Sequence, residues 1–246
     1  MDVLPTLVSV VRDWAMYNRC IATNPCLHAV SRFPLDNTTK GKGIPACYNT
    51  FLDQFDFSQS AWLIFCHEDF EIKTPLSDIF TALDVGKLYG PIGVVTKKRF
   101  GVFHQWQLQG CITESHKDGT NARLVGHPVP LGTPVETFDC QCVIVHSSLI
   151  QRTGIRFDEN LSFDLYVEDF CIQAKEHFQV ESVILPLPCQ HWSGGNVGER
   201  YRAQEVYLNT KWSGCCYTGT SSHSIGTPSL LRRMNDGAKA ILMKLR

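Results

Sequence analysis

Three things are scarce in this 246-residue sequence: excess charge of one sign, long apolar runs, and cysteines at framework spacing. Lys and Arg total 23 against 24 Asp and Glu, a net charge of −1, so no global field recruits nucleic acid or an anionic membrane. Nucleic acid is not an expected partner, and any site for a polyanion must be local. The longest uninterrupted apolar run, Ala61 to Cys66, is far short of a membrane span. Met1 to Val11 lacks the basic start and small-residue cleavage site of a signal peptide, and the expected location is cytoplasmic. The 11 cysteines are odd in number and scattered, which argues against a disulfide scaffold and for reduced thiols packed as small hydrophobes. Cys140-x-Cys142 and Cys189-x-His191 together offer zinc-type ligands, but each pair is tighter than the two-to-four-residue spacing usual for zinc.

What is present describes a globular chain. Hydrophobic residues make up 43% and charged ones 19%, which excludes disorder. No repeat or linker divides the chain, so residues 1–228 are expected to form one domain followed by a helix over 229–246. Leu7 to Val11, Ala29 to Leu35, Ala61 to Cys66, Ile92 to Val95, Cys142 to Val145 and Val180 to Leu185 read as strands. Between them, Trp14 to Ile21, a segment opened by Pro45, Pro75 to Leu83, Val167 to His177 and Glu199 to Trp212 read as helices. Residues 96–134 give no clear pattern. Alternating strands and helices predict an α/β sandwich with a mostly parallel central sheet, whose ligands sit beyond the carboxyl ends of the strands.

Three polar clusters stand out. His67-Glu68-Asp69 follows the most apolar strand; His67 and Asp69, two residues apart, fall on one side of an extended chain and can share a divalent cation, although a solvated loop reads the same way. Glu168 and Asp169 lie in the first turn of a helix, where carboxylates complement the dipole. Among Tyr166, Val167, Phe170 and Cys171 they also risk burial, which raises a carboxylate's pKa and suits it to proton abstraction. His191 sits in a loop before Trp192 and Gly194-Gly195.

The order of these pieces resembles glycosyltransferases of GT-A fold, specifically the bacterial glycosyltransferase-like branch near family two, over most of residues 5–213. Leu7 to Val11 resembles the family's first strand, and Asp36-Asn37 with Lys42-Gly43-Ile44 and Tyr48-Asn49 resembles its nucleotide-side loop and helix. His67-Glu68-Asp69 stands at the metal-binding DxD, with His67 in place of the first Asp. Phe157-Asp158-Glu159 and Val167-Glu168-Asp169 resemble the FDE and xED elements, and Asp139 to Cys142 occupies the place of a glycine-rich segment that this chain lacks.

The resemblance implies a GT-A-like, Rossmann-like three-layer sandwich and transfer of a sugar from a nucleoside diphosphate to an acceptor hydroxyl, with inversion. The acceptor class it implies is a bacterial surface glycan or lipid-linked saccharide. It assigns Mn²⁺ or Mg²⁺ to Asp69, His67 and His191, and the nucleotide to Val8, Ser9, Asp36 and Asn37. Asp169 becomes the base with Glu168 beside it, and Trp192 and Tyr166 offer aromatic faces to a sugar. Two other classes fit the same residues: a metal-dependent hydrolase using His67, Asp69 and His191 with Glu168 as base, and a catalytically silent sugar-nucleotide-binding protein. In the tail, Leu230, Leu231, Met234, Ala238, Ile241, Leu242 and Leu245 recur at helical spacing among Arg232, Arg233, Lys239, Lys244 and Arg246. Such a basic amphipathic helix either docks on its own domain or a dimer mate, or lies on an anionic membrane where a lipid-linked acceptor would be met.

Overall fold

A computed structural model describes residues 4–77, 79–99, 103–193, 198–221 and 224–226. The tail expected as an amphipathic helix, 229–246, lies outside the described residues. Strand β1 (Thr6–Val11) leads through a short helix α1 (Trp14–Tyr17) to β2 (Ser31–Asp36), α2 (Ile44–Gln54), β3 (Trp62–Cys66) and β4 (Phe70–Ile72). Six strands follow: β5 (Leu88–Gly90), β6 (Ile92–Arg99), β7 (Phe103–Glu114), β8 (Arg123–His127), β9 (Pro134–Val135) and β10 (Thr137–Phe138). The last part contains β11 (Cys142–His146), α3 (Ser147–Thr153), α4 (Tyr166–Phe178), β12 (Ser182–Ile184), β13 (Cys189–His191), α5 (Glu199–Lys211), β14 (Cys216–Thr218) and β15 (Ser224–Gly226).

The fold is mixed α/β. The main sheet has seven strands in the order β2-β1-β3-β11-β5-β12-β9. It is not mostly parallel, as the sequence pattern predicts: β1 runs parallel to β2 and β3, but β11 is antiparallel to both β3 and β5. The cause is a short connection. The chain arrives from β10 at the carboxyl end of β3, and three residues, 139–141, turn it straight into β11; a parallel entry would need a long crossover. Antiparallel entry brings Gln141 beside His67, whose backbone N–H donates to the Gln141 carbonyl at 3.0 Å. Pro34 is tolerated in β2 because that strand is an edge.

Side-chain alternation splits the interior in two. Val8, Val10, Leu63, Phe65, Val143 and Val145 face the side covered by α2, α4 and α5, through residues such as Tyr48, Phe51, Phe170 and Leu208. Leu7, Val11, Ile64, Cys66, Cys142 and Ile144 face Met16, Tyr17 and Ile21 and a second, six-stranded sheet through Ile92 and Ile112. Two of its strands, β7 and β8, and the end of β6 occupy the stretch the sequence leaves unassigned. Its ribbon β6-β7-β8 is antiparallel, and β13 joins β7 in parallel and β4 antiparallel. Gly110 and Gly126 adopt left-handed φ of +75° and +81°, and an added Cβ on Gly126 would fall 2.2 Å from the Gly110 carbonyl, so neither admits a side chain. The helix expected over Pro75 to Leu83 is reduced to one 3₁₀ turn, Ile79–Ala82; the Asp84 carboxylate then captures the Gly86 N–H and turns the chain towards β5.

Candidate active site

A cleft of about 670 Å³ opens at the carboxyl ends of β1 and β3. Its wall includes His67, Asp69, His191 and Glu168 among the sequence-predicted residues, together with Arg12, Asp139 and Gln141.

Register explains why residues so distant in sequence meet. After β3, the Phe70 N–H donates to the His67 carbonyl and closes a turn, while the Glu68 carboxylate accepts the Arg12 and Asp13 backbone N–H groups at the end of β1. Glu68 is therefore a clamp that fixes the turn. β4 then pairs with β13 so that Phe70 faces His191, and the Trp192 N–H donates to the Asp69 carbonyl at 2.9 Å. The His191 imidazole thus arrives beside the Asp69 carboxylate, Nε2 to Oδ1 3.3 Å. The contact has ion-pair distance without hydrogen-bond alignment, and both ring nitrogens of His191 are buried with no hydrogen-bond partner among the described residues. One ligand atom each from His67, Asp69 and His191 lies within 4.8 Å of the others. A buried imidazole with two orphaned nitrogens beside a carboxylate is costly unless something electrophilic sits between them, so these residues fit a divalent cation.

Burial would lower His191, but the Asp69 carboxylate beside it holds it above the ordinary imidazole value, so a cation at this place would compete with a proton. Burial would raise Asp69, but the adjacent His191 first, and then the charge of His67, hold it down at about 2. Burial, and secondarily the nearby His191, pushes His67 down to about 4 against the pull of Asp69, leaving its imidazole neutral and able to ligate.

Glu168 also lines the cleft, 2% exposed, accepting from the Cys140 thiol at 3.1 Å and the Thr220 hydroxyl at 3.0 Å. Burial, then the charge of Asp139, raises it to about 7. It is delivered by α4, whose preceding residue Leu165 adopts a left-handed φ of +63°. Such strain in a non-glycine costs on the order of 1–3 kcal/mol and needs support. Support comes from Gln204 of α5, whose Oε1 accepts the N–H groups of Ser162, Phe163 and Asp164.

The expected base, Asp169, is not among the residues lining the cleft. It is fully buried, accepting from Trp212 Nε1 at 2.8 Å and Gln173 Nε2 at 2.6 Å, and ion-paired with Lys211 at 2.8 Å. On a helix, adjacent residues face different directions, and here the first of the two carboxylates faces the cleft. The nucleotide candidates also lie elsewhere. Val8 and Ser9 are fully buried in β1, Asp36 is exposed and caps the Thr38 turn, and Asn37 bridges to both backbone groups of Lys42. From β1 the cleft receives Val10 and Arg12 instead. Trp192 does not line the cleft: its Nε1 donates to Glu71 and Arg19 stacks 3.6 Å over its ring. Tyr166, 1% exposed, offers no face to a ligand, because its hydroxyl lies between His67 and the Cys140 carbonyl. Among the described residues, His191 groups with His67 and Asp69 rather than with Cys140, Cys142 or Cys189.

Gln141 was not anticipated. It is 3% exposed, lines the cleft, and its Oε1 has no partner among the described residues. Arg12 is the cleft arginine without a carboxylate partner among the described residues, since Arg123 pairs with Glu114 and Arg200 with Asp164.

No family model and no curated protein matches the chain. Solved structures it resembles include GalNAc-T7 with UDP, GalNAc and Mn²⁺, at 10% identity and TM-score 0.46 over 79% of this chain and 46% of that one. They also include S. aureus TarS 1-349, at 13% and 0.46 over 86% and 72%, and A197 from STIV, at 10% and 0.41 over 92% and 95%. The chain spans about half the length of the GalNAc-T7 structure. Likenesses this distant carry neither activity nor ligands to the present chain. No described helix is long and apolar enough to cross a membrane.

Proposed function

We propose that the chain is a divalent-cation-dependent glycosyltransferase that moves a sugar from a nucleoside diphosphate to an acceptor hydroxyl with inversion, using Glu168 as the base. One observation carries the reading: His67, Asp69 and His191 converge in a cleft that is also lined by a carboxylate poised near neutrality, Glu168. A cleft of about 670 Å³ falls in the size range of small-molecule sites.

His67, Asp69 and His191 would hold the cation, which supplies positive charge to a departing diphosphate. Two imidazoles and one carboxylate suit Mn²⁺ better than Mg²⁺, which prefers oxygen. Arg12 adds an uncommitted guanidinium for phosphate. Gln141 presents an acceptor for a sugar hydroxyl. Glu168 takes the acceptor's proton as its oxygen bonds to the anomeric carbon, and the electron pair of the breaking bond leaves with the diphosphate. With a pKa of about 7, Glu168 is largely ionised just above neutrality and still basic enough to accept a proton. The acceptor class, a bacterial glycan or lipid-linked saccharide, and contact of residues 229–246 with a membrane or a dimer mate rest on the sequence resemblance and the tail's pattern.

The test is nucleoside diphosphate release from UDP-, GDP- and TDP-sugars with Mn²⁺, across mono- and oligosaccharide acceptors. Acceptor-stimulated release that Glu168→Gln abolishes, with nucleotide binding intact, supports the assignment. Full activity in that variant contradicts it. The same donor set suits metal-assisted hydrolysis with Glu168 activating water; release indifferent to every acceptor favours that reading.

A further inference from the structure

His67 has two ring nitrogens, and the structure distinguishes them. Nε2 lies 3.1 Å from the Tyr166 hydroxyl, and that hydroxyl lies 2.7 Å from the Cys140 backbone carbonyl. A carbonyl only accepts, so the single Tyr166 proton is committed to Cys140. The Tyr166 oxygen must then accept from His67, which places the imidazole proton on Nε2 and the lone pair on Nδ1. Tyr166 cannot swing away: it is 1% exposed and packed among Tyr48 and Phe157. Cys140 is held in turn, since Gln141 next to it accepts the His67 backbone N–H.

We infer that His67 ligates a divalent cation through Nδ1, and that Tyr166, anchored by the Cys140 carbonyl, is the positioning residue that enforces this tautomer and tunes the centre towards Mn²⁺, Co²⁺ and Zn²⁺ over Mg²⁺. The inference rests on reading His67, Asp69 and His191 as a metal centre. A ligating histidine ordinarily donates its other N–H to a fixed acceptor, which orients the ring and raises its basicity. The acceptor here is a phenol whose own hydrogen bond goes to main chain, so no change in a neighbouring side chain's charge can reverse the relay. Tyr166→Phe leaves Nε2–H without an acceptor and lets the ring exchange tautomers. The expected loss of metal affinity is roughly tenfold to hundredfold, the range for lost outer-shell partners.

The direct probe is ¹¹³Cd²⁺ added to full-length protein labelled with ¹⁵N at histidine. The expected result is ¹¹³Cd coupling to His67 Nδ1 while Nε2 keeps its proton. Coupling through His67 Nε2, or coupling at His191 without His67, overturns the tautomer inference and leaves the metal centre standing. No binding of Cd²⁺ or Mn²⁺ overturns both. In parallel, Mn²⁺ titration followed by electron paramagnetic resonance should show weakened binding in Tyr166→Phe and no displacement of Mn²⁺ from wild type by equimolar Mg²⁺. Wild-type Mn²⁺ affinity in a folded Tyr166→Phe protein also overturns the inference, and the labelled wild-type experiment decides it if that variant does not fold.

Discussion

Asp69 Oδ1 and His191 Nε2 stand 3.3 Å apart because β13 lies against β4 in a register that sets His191 opposite Phe70. The pair is mostly buried and lacks hydrogen-bond alignment, and the imidazole has no other partner among the described residues. Replacing either member should therefore remove metal binding, and as half of a buried pair it should also lower apo stability. In wild type, Mn²⁺ at a hundred times its Kd should add about 2.7 kcal/mol to unfolding stability. Asp69→Asn and His191→Ala should show none of that increment in calorimetry with and without Mn²⁺.

Glu168 and Asp169 are neighbours in sequence with opposite fates, and substitution should separate them. Asp169 lies in a buried pair with Lys211, so Asp169→Asn should cost about 3 kcal/mol in urea denaturation. Turnover per folded molecule should survive. Glu168→Gln should do the reverse, abolishing turnover with the fold intact.

The pH dependence of Glu168 has a definite sign. Its folded pKa, about 7, lies above the ordinary value of 4.5. Between those values the unfolded carboxyl has lost its proton and the folded one has not, so the group's contribution falls as pH rises and levels off above about 7. The full penalty is on the order of 3 kcal/mol. Glu168→Gln removes it, so the variant should gain stability relative to wild type between pH 4.5 and 8 in paired denaturation curves. In turnover, wild-type kcat/KM should rise with pH through about 7, the base being active when deprotonated.

Arg12 is the uncommitted cleft guanidinium. Arg12→Ala should weaken nucleoside diphosphate binding roughly tenfold to hundredfold by isothermal titration, a charged hydrogen bond being worth about 1.5–3 kcal/mol. Arg123→Ala, which removes a group already paired with Glu114, should change binding much less.

Much of this was legible in the sequence. The apolar Ala61–Cys66 run announced the buried central strand, Pro45 opened α2, and His67-Glu68-Asp69 at that strand's end marked the cleft. What escaped depends on pairing. Nothing local to Cys142–His146 says it enters antiparallel; a three-residue connection decides that. The stretch over residues 96–134 hid its ribbon behind glutamines and left-handed glycines, although Trp106-Gln107-Leu108-Gln109 carries the alternation of a strand. Choosing between Glu168 and Asp169 required the position of Lys211 on a later helix. Arg12 and Gln141 carry no motif, and what singles them out is a free charge and an orphaned carbonyl.

The measurement that bears most directly on the shared cleft is thermal stabilisation by a panel of UDP-, GDP-, CMP- and TDP-sugars, with and without Mn²⁺, in wild type and Asp69→Asn. One nucleotide class should stabilise wild type selectively, the shift should require Mn²⁺, and Asp69→Asn should lose it. Equal shifts in both proteins, or none with any nucleotide, would contradict a metal-dependent sugar-nucleotide site at His67, Asp69 and His191.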